Sequence, residues 1–139
     1  MIDEKITVNR AQKRKCLSPY SKFYDASCYR WEPDAESNLY FLNAAQKELN
    51  ARLKMQGYLF LNDAYDVLGM KRTKAGQIVG WIYDEENPFG DNFVDFGLYD
   101  KEDERCVAFV NGEEDVILLD FNVDGEIISR IPSNILAAY

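Results

Sequence analysis

At 139 residues the chain fits one ordinary domain, and a content of 47% hydrophobic and 14% aromatic residues excludes a disordered polymer. Histidine is absent, which removes Ser-His-Asp triads, Cys-His pairs, the HExxH zinc motif and every imidazole proton shuttle. The net charge of −8 is lopsided: residues 1–82 hold 13 basic and 9 acidic side chains, residues 83–139 hold 3 and 15, a balance that favours a basic partner and disfavours direct contact with nucleic acid.

The N-terminus, MIDEKITVNRAQKRKC, lacks the apolar central region of an export signal, and no apolar run approaches the ~18 residues of a membrane span. The expected compartment is the cytoplasm, with no membrane attachment if Met1 is the native start. Lys13, Arg14 and Lys15 make residues 1–20 a basic segment with little periodicity, set apart from a single domain over 21–139. Cys16, Cys28 and Cys106 are odd in number with no CxxC spacing, so they are expected as reduced thiols.

Residues 23–31, rich in aromatics and ending near Pro33, have the character of a strand. Asp34 is placed to cap a helix that runs without Gly or Pro to Gly57, with Leu39, Leu42, Leu49 and Leu53 on one stripe. In YLFLNDAYDVLGM, Asn62 or Asp63 caps a short helix that Gly69 ends, and Thr73 caps a further turn. Two brief helices in succession suggest a helix-turn-helix, but they are too short and lack a basic second face.

Beyond this point the pattern is that of sheet. Val94, Phe96 and Leu98 alternate with Asp95, Gly97 and Tyr99, the period of a half-buried strand. Residues 115–123 and 126–131 make two more, with a helical turn around Val107 and Phe109 before them. The expected fold class is α+β: one long and two short helices packed on a small, mainly antiparallel sheet that contains 93–99, 115–123 and 126–131.

The blocks LFLNDAYDVLG at 59–69, TKAGQIVGW at 73–81, NFVDFGLYD at 92–100 and ILLDFNVDG at 117–125 together resemble a family of small uncharacterised proteins from Firmicutes and their phages, a domain of unknown function. The resemblance covers roughly residues 21–129. It implies a phage or prophage origin and a shared fold, and brings no activity, cofactor or catalytic residue. Some relatives carry an apolar N-terminal segment that this chain lacks.

Asp120, Asn122 and Asp124 followed by Gly125 imitate the start of an EF-hand loop. The twelfth position, where a bidentate carboxylate is required, is Ile131, and VILLDFNV before the glycine is strand-like rather than helical. Asp124-Gly125 is therefore expected as a two-residue hairpin turn. AGQIVGW matches neither GxxxxGK[ST] nor GxGxxG, so no phosphate loop is assigned.

The candidate site is DEENPFGDNFVD. Asp84, Glu85, Glu86 and Asp91 cluster among the turn formers Asn87-Pro88 and Gly90. Such carboxylates hold Mg²⁺ or run acid-base chemistry when burial separates their pKa values, and otherwise form a solvated loop. With Tyr83 and Trp81 as aromatic anchors they make a partner-binding patch, the other reading of Trp81 being that it turns into the core. The sequence thus points to a non-enzymatic interaction protein docking on a basic host or phage protein, in its extreme form inhibiting a nucleic-acid-handling or defence system. No catalytic residue, metal ligand or cofactor is assigned. A virion or assembly component self-associating through its aromatic face is the alternative, and a metal-dependent hydrolase the third.

Overall fold

A computed structural model describes residues 18–131; the basic segment at 1–20 and Cys16 fall almost wholly outside them. Strand β1 (Lys22–Tyr24) is followed by helix α1 (Ala35–Gln56), strand β2 (Tyr58–Phe60) and helix α2 (Leu61–Leu68). A 3₁₀ turn (Ala75–Gln77) leads into β3 (Val79–Ile82), after which come helix α3 (Glu104–Val110), β4 (Ile117–Leu119), β5 (Gly125–Glu126) and a second 3₁₀ turn, Ile128–Arg130. The architecture is α+β, with one long and two short helices.

Helix α1 begins and ends where local chemistry places it. The Asp34 carboxylate accepts from the backbone N–H of Glu36 at 3.2 Å and from the Ser37 hydroxyl at 2.8 Å, satisfying donors that the first turn leaves open. At the other end Gly57 is left-handed, φ +86°, and donates to the Leu53 carbonyl at 2.8 Å. Leu42, Ala45, Leu49 and Leu53 form its buried stripe, and Asn38 continues that stripe where Leu39 was expected. Asn38 is accommodated because it is fully paired: its amide donates to the Glu32 and Asp115 carbonyls and its oxygen accepts from the Glu32 N–H.

The expected single sheet is two sheets. β1 pairs antiparallel with β4, and β3 lies between β2 and β5, antiparallel to both. Three strand assignments and one turn are corrected. After Tyr24 the chain leaves β1 at an Asx turn, where Asp25 accepts from the N–H and hydroxyl of Ser27 at 2.9 and 2.6 Å, so 23–31 is not one strand.

Residues 93–99 keep the alternation of burial, with Val94, Phe96 and Leu98 at most 1% exposed, yet form no strand. Side chains of α1 take the place of a partner: Asn50 exchanges two hydrogen bonds with the backbone of Val94, and Gln46 accepts from the Phe96 N–H at 2.9 Å. Gly97, at φ +72°, then breaks the pleat.

The third correction concerns Asp124-Gly125, which is a crossing between sheets rather than a hairpin turn. Gly125 pairs with Gly80 and Glu126 with Val79, so the chain leaves the β1–β4 pair and joins the edge of β3. Residues 126–131 do not continue as a strand. Glu126 accepts from the N–H and hydroxyl of Ser129, both at 2.9 Å, and curls the chain into the 3₁₀ turn.

One core joins α1, α2, α3 and both sheets. Phe121 makes edge-on contacts with Tyr65 and Phe96, ring centroids 5.6 and 5.5 Å apart, an arrangement favoured by aromatic quadrupoles. A smaller cluster of Phe60, Ile127 and Ile131 is joined by Tyr58, Ile82 and Phe89.

Candidate functional site

The acidic loop follows β3 and is closed by its own polar groups. The N–H of Asp84 donates to the Asn92 side-chain oxygen at 3.0 Å, and the Asn92 amide returns a bond to the Asp84 carbonyl at 3.2 Å. Asn92 reaches this position at φ +64°, a left-handed backbone that asparagine tolerates better than most residues. Within the loop the Asp84 carboxylate accepts from the N–H groups of Glu86 and Asn87 at 3.1 and 3.0 Å. Tyr83 donates its hydroxyl to Glu85, and that bond to a carboxylate holds the phenol above its ordinary range.

Three further contacts dock the loop on the fold. Phe89 packs on the smaller apolar cluster, with the Arg130 guanidinium 3.8 Å above its ring. Asn122 donates to the Asp91 carboxylate at 3.1 Å and to the Phe93 carbonyl at 2.8 Å. Asp124 accepts from the Ile82 N–H at 2.9 Å, and its carboxylate fills the space that a side chain at Gly90 would need, 2.0 Å from the Cβ position. Burial pushes the Asp124 carboxyl above its ordinary value and the Asp91 charge pushes it further, while hydrogen bonds from the Ile82 and Asp91 backbones pull it down.

The sequence-assigned site residues separate into two groups. Asp84, Glu85, Glu86 and Asp91 are exposed on this loop and Tyr83 is half-buried at its start. Trp81 is not part of the surface: it is fully buried, and its indole N–H donates to the backbone and side-chain oxygens of Asn122. Its assignment as a surface anchor is corrected, because the alternation along β3 turns position 81 into the core. Asn92 and Asn122, which position the carboxylates, were not singled out as loop-positioning residues. The EF-hand-like spacing carried a trace of Asn122, since its side-chain oxygen does ligate, though to the N–H groups of Trp81 and Asp95 at 2.9 and 2.7 Å.

Asp120 likewise accepts from the Ser18 N–H and the Ser21 hydroxyl at 2.9 and 3.1 Å, so the alternate side chains of DFNVDG turn to different donors. Among the described residues no three Cys, Asp or Glu side chains converge as a metal-holding group, and no helix is long and apolar enough to cross a membrane.

Acidic side chains dominate the later part of the described chain. Residues 18–82 hold 8 basic and 7 acidic side chains and are nearly neutral, whereas 83–131 hold 3 and 15. Among the described residues, Asp84, Glu85, Glu86 and Asp91 make no ion pair with a lysine or arginine, in contrast to Asp66, which pairs with Arg72.

The model of a family described as of unknown function, DUF6353, matches residues 1–131. No curated protein and no solved structure matches the chain.

Proposed function

The chain belongs to this family of unknown function, and from that premise we propose a non-enzymatic accessory interaction protein whose acidic surface docks on a basic host or phage protein. The reading takes the chain to be of phage or prophage origin and to act in the host cytoplasm, in keeping with its resemblance to proteins of Firmicutes and their phages. Its extreme form is inhibition of a nucleic-acid-handling or defence protein, with carboxylates occupying a groove built for phosphates.

One observation supports this reading most. Asp84, Glu85, Glu86 and Asp91 sit on a loop whose ends are tied by Asn92 and Asn122, without a cation of the described chain paired to any of them. A fixed, unneutralised group of charges raises encounter rates with a complementary surface and loses less entropy on binding than a flexible tail.

The experiment is affinity capture from infected host lysate at low and high salt, with the parent protein and a D84N/E85Q/E86Q/D91N variant side by side. The expected result is a basic protein retained at low salt, released when the screening length falls from ~10 Å at 0.1 M to ~3 Å at 1 M, and not retained by the variant. Equal retention by parent and variant overturns the reading.

A second reading, a self-associating virion or assembly component, draws on the exposed side chains of Tyr29, Tyr40 and Tyr99. A solution mass that stays monomeric at rising concentration removes it.

A further inference from the structure

With Trp81 inside the core, the acidic loop keeps Phe93, 48% exposed, as its large exposed apolar side chain. Protein interfaces draw most of their energy from a few apolar or aromatic anchors in desolvated pockets, while charge governs approach and orientation. A pocket of this kind lies elsewhere in the acidic half.

Leu98 and Tyr99 on one side and Cys106, Val107 and Val110 of α3 on the other enclose a groove of about 210 Å³. Its floor is apolar, with Leu98 and Cys106 buried, and its rim carries Tyr99 and Val107 at 57% and 39% exposure. Tyr99 is held in place, since its hydroxyl accepts from the Asn43 amide of α1 at 2.7 Å. The Cys106 thiol points at the Gly97 carbonyl, 3.4 Å away, and burial pushes its pKa up to about 11. It is a neutral part of the floor rather than a nucleophile.

Size and charge together select the occupant. Pockets for metabolite-sized ligands begin near ~300 Å³, so a groove of about 210 Å³ suits a single large side chain. Asp100, Lys101 and Asn111 also line the groove, and residues 83–131 as a whole hold 15 acidic against 3 basic side chains, which favours a cationic neighbour for whatever enters. A second hollow of about 300 Å³, bordered by Phe23, Ala108 and Ile117 with Glu104, Arg105 and Glu114, flanks the other side of α3. The helix is thus a ridge between two depressions.

We propose that the groove between Tyr99 and α3 anchors one apolar side chain of a lysine- and arginine-rich segment of the protein partner. The inference rests on the docking function above and adds to it an apolar pocket beside the charge of the acidic loop.

The test uses the full-length ¹⁵N-labelled chain, titrated at low salt with two synthetic nonapeptides. One is all lysine, and the other carries a central leucine among lysines. The leucine peptide is expected to bind roughly ten- to hundred-fold tighter, the value of burying one such side chain, and to shift the amides of 98–111. Val107→Ser and, independently, Tyr99→Ser should remove that gain and leave all-lysine binding unchanged.

Equal binding of the two peptides, or shifts confined to 84–91, overturns the groove as anchor and leaves the docking reading standing. Failure of both peptides to bind at low salt overturns the docking reading and the groove with it. A concentration-dependent mass increase abolished by Val107→Ser assigns the groove to a second copy of the chain and overturns the proposal.

Discussion

The indole N–H of Trp81 donates to both oxygens of Asn122, backbone at 3.0 Å and side chain at 2.9 Å, so the largest buried side chain of β3 is tied to the residue that positions the acidic loop. The same Asn122 amide donates to Asp91 and Phe93. Core and candidate site therefore share one polar junction.

Asn122→Ala should cost about 2–4 kcal/mol of stability, because it leaves the Asp95 N–H and the Phe93 carbonyl without their present side-chain partner. Urea denaturation measures the cost, and hydrogen exchange should show amides 91–95 opening in the folded state. A variant with parent stability and unchanged exchange would remove Asn122 from this role.

Tyr24 points the opposite way. Its hydroxyl is buried and has no hydrogen-bond partner among the described residues, and burial raises its pKa far above the ordinary value. Tyr24→Phe should leave stability unchanged or raise it by about 1 kcal/mol, since the ring and its stacking on Phe41 remain. Tyr65→Phe, which deletes a bond to the Tyr20 carbonyl, should instead lose about 0.5–1.5 kcal/mol. Thermal or chemical denaturation of the two variants should differ in sign, and equal losses would contradict the assignment.

Two glycines separate steric from torsional cost. A Cβ at Gly80 would lie 2.0 Å from the Leu59 carbonyl oxygen, across the β2–β3 ladder, whereas at Gly57 nothing comes within 4 Å. Gly80→Ala is expected to lose about 3 kcal/mol or more, as backbone cannot yield as a side chain does. Gly57→Ala should cost only the left-handed strain of about 1–2 kcal/mol. Similar melting temperatures for the two variants would count against this geometry.

The pH dependence of stability has contributions of both signs. Asp124 has a folded pKa above the ordinary 3.8, so the native state holds its proton more tightly. Its stabilising contribution is complete below 3.8 and is lost as pH rises through the raised value. Asp66 behaves inversely: the hydrogen bond from Arg72 lowers its pKa, and its contribution is present above 3.8 and lost as pH falls through the lowered value. Asp124→Asn should therefore gain stability relative to the parent as pH rises through that window, with Asp66→Asn losing relative stability as pH rises from the acid side. Urea midpoints across this range for the three proteins decide the signs.

Much of this arrangement can be read along the chain. Asp34, Gly57, Gly69 and Thr73 act where their chemistry indicated, each satisfying or ending a local turn. Alternation at 94, 96 and 98 correctly gave burial and failed for hydrogen bonding, because burial follows the side-chain period while pairing depends on what lies alongside. Here the neighbour is a helix offering Gln46 and Asn50, whose side-chain amides take the place of a partner strand. The same distinction explains Trp81: the sequence left both a surface anchor and a core position open to it, and the register of β3 against β2 and β5 turned it inward.

Carboxylate content, the missing histidine and the limits of α1 are properties of residue identity and short-range geometry, and the linear order of amino acids was sufficient to establish them, whereas α2 starts at Leu61, ahead of the Asn62 or Asp63 expected to cap it. Which sheet receives Gly125, whether Asn122 binds an ion or an indole, and where an apolar groove opens beside α3 depend on residues brought together from far along the chain. Those contacts form only when the whole core closes, because each is selected by the burial and hydrogen bonding of distant partners and by no preference of its own segment.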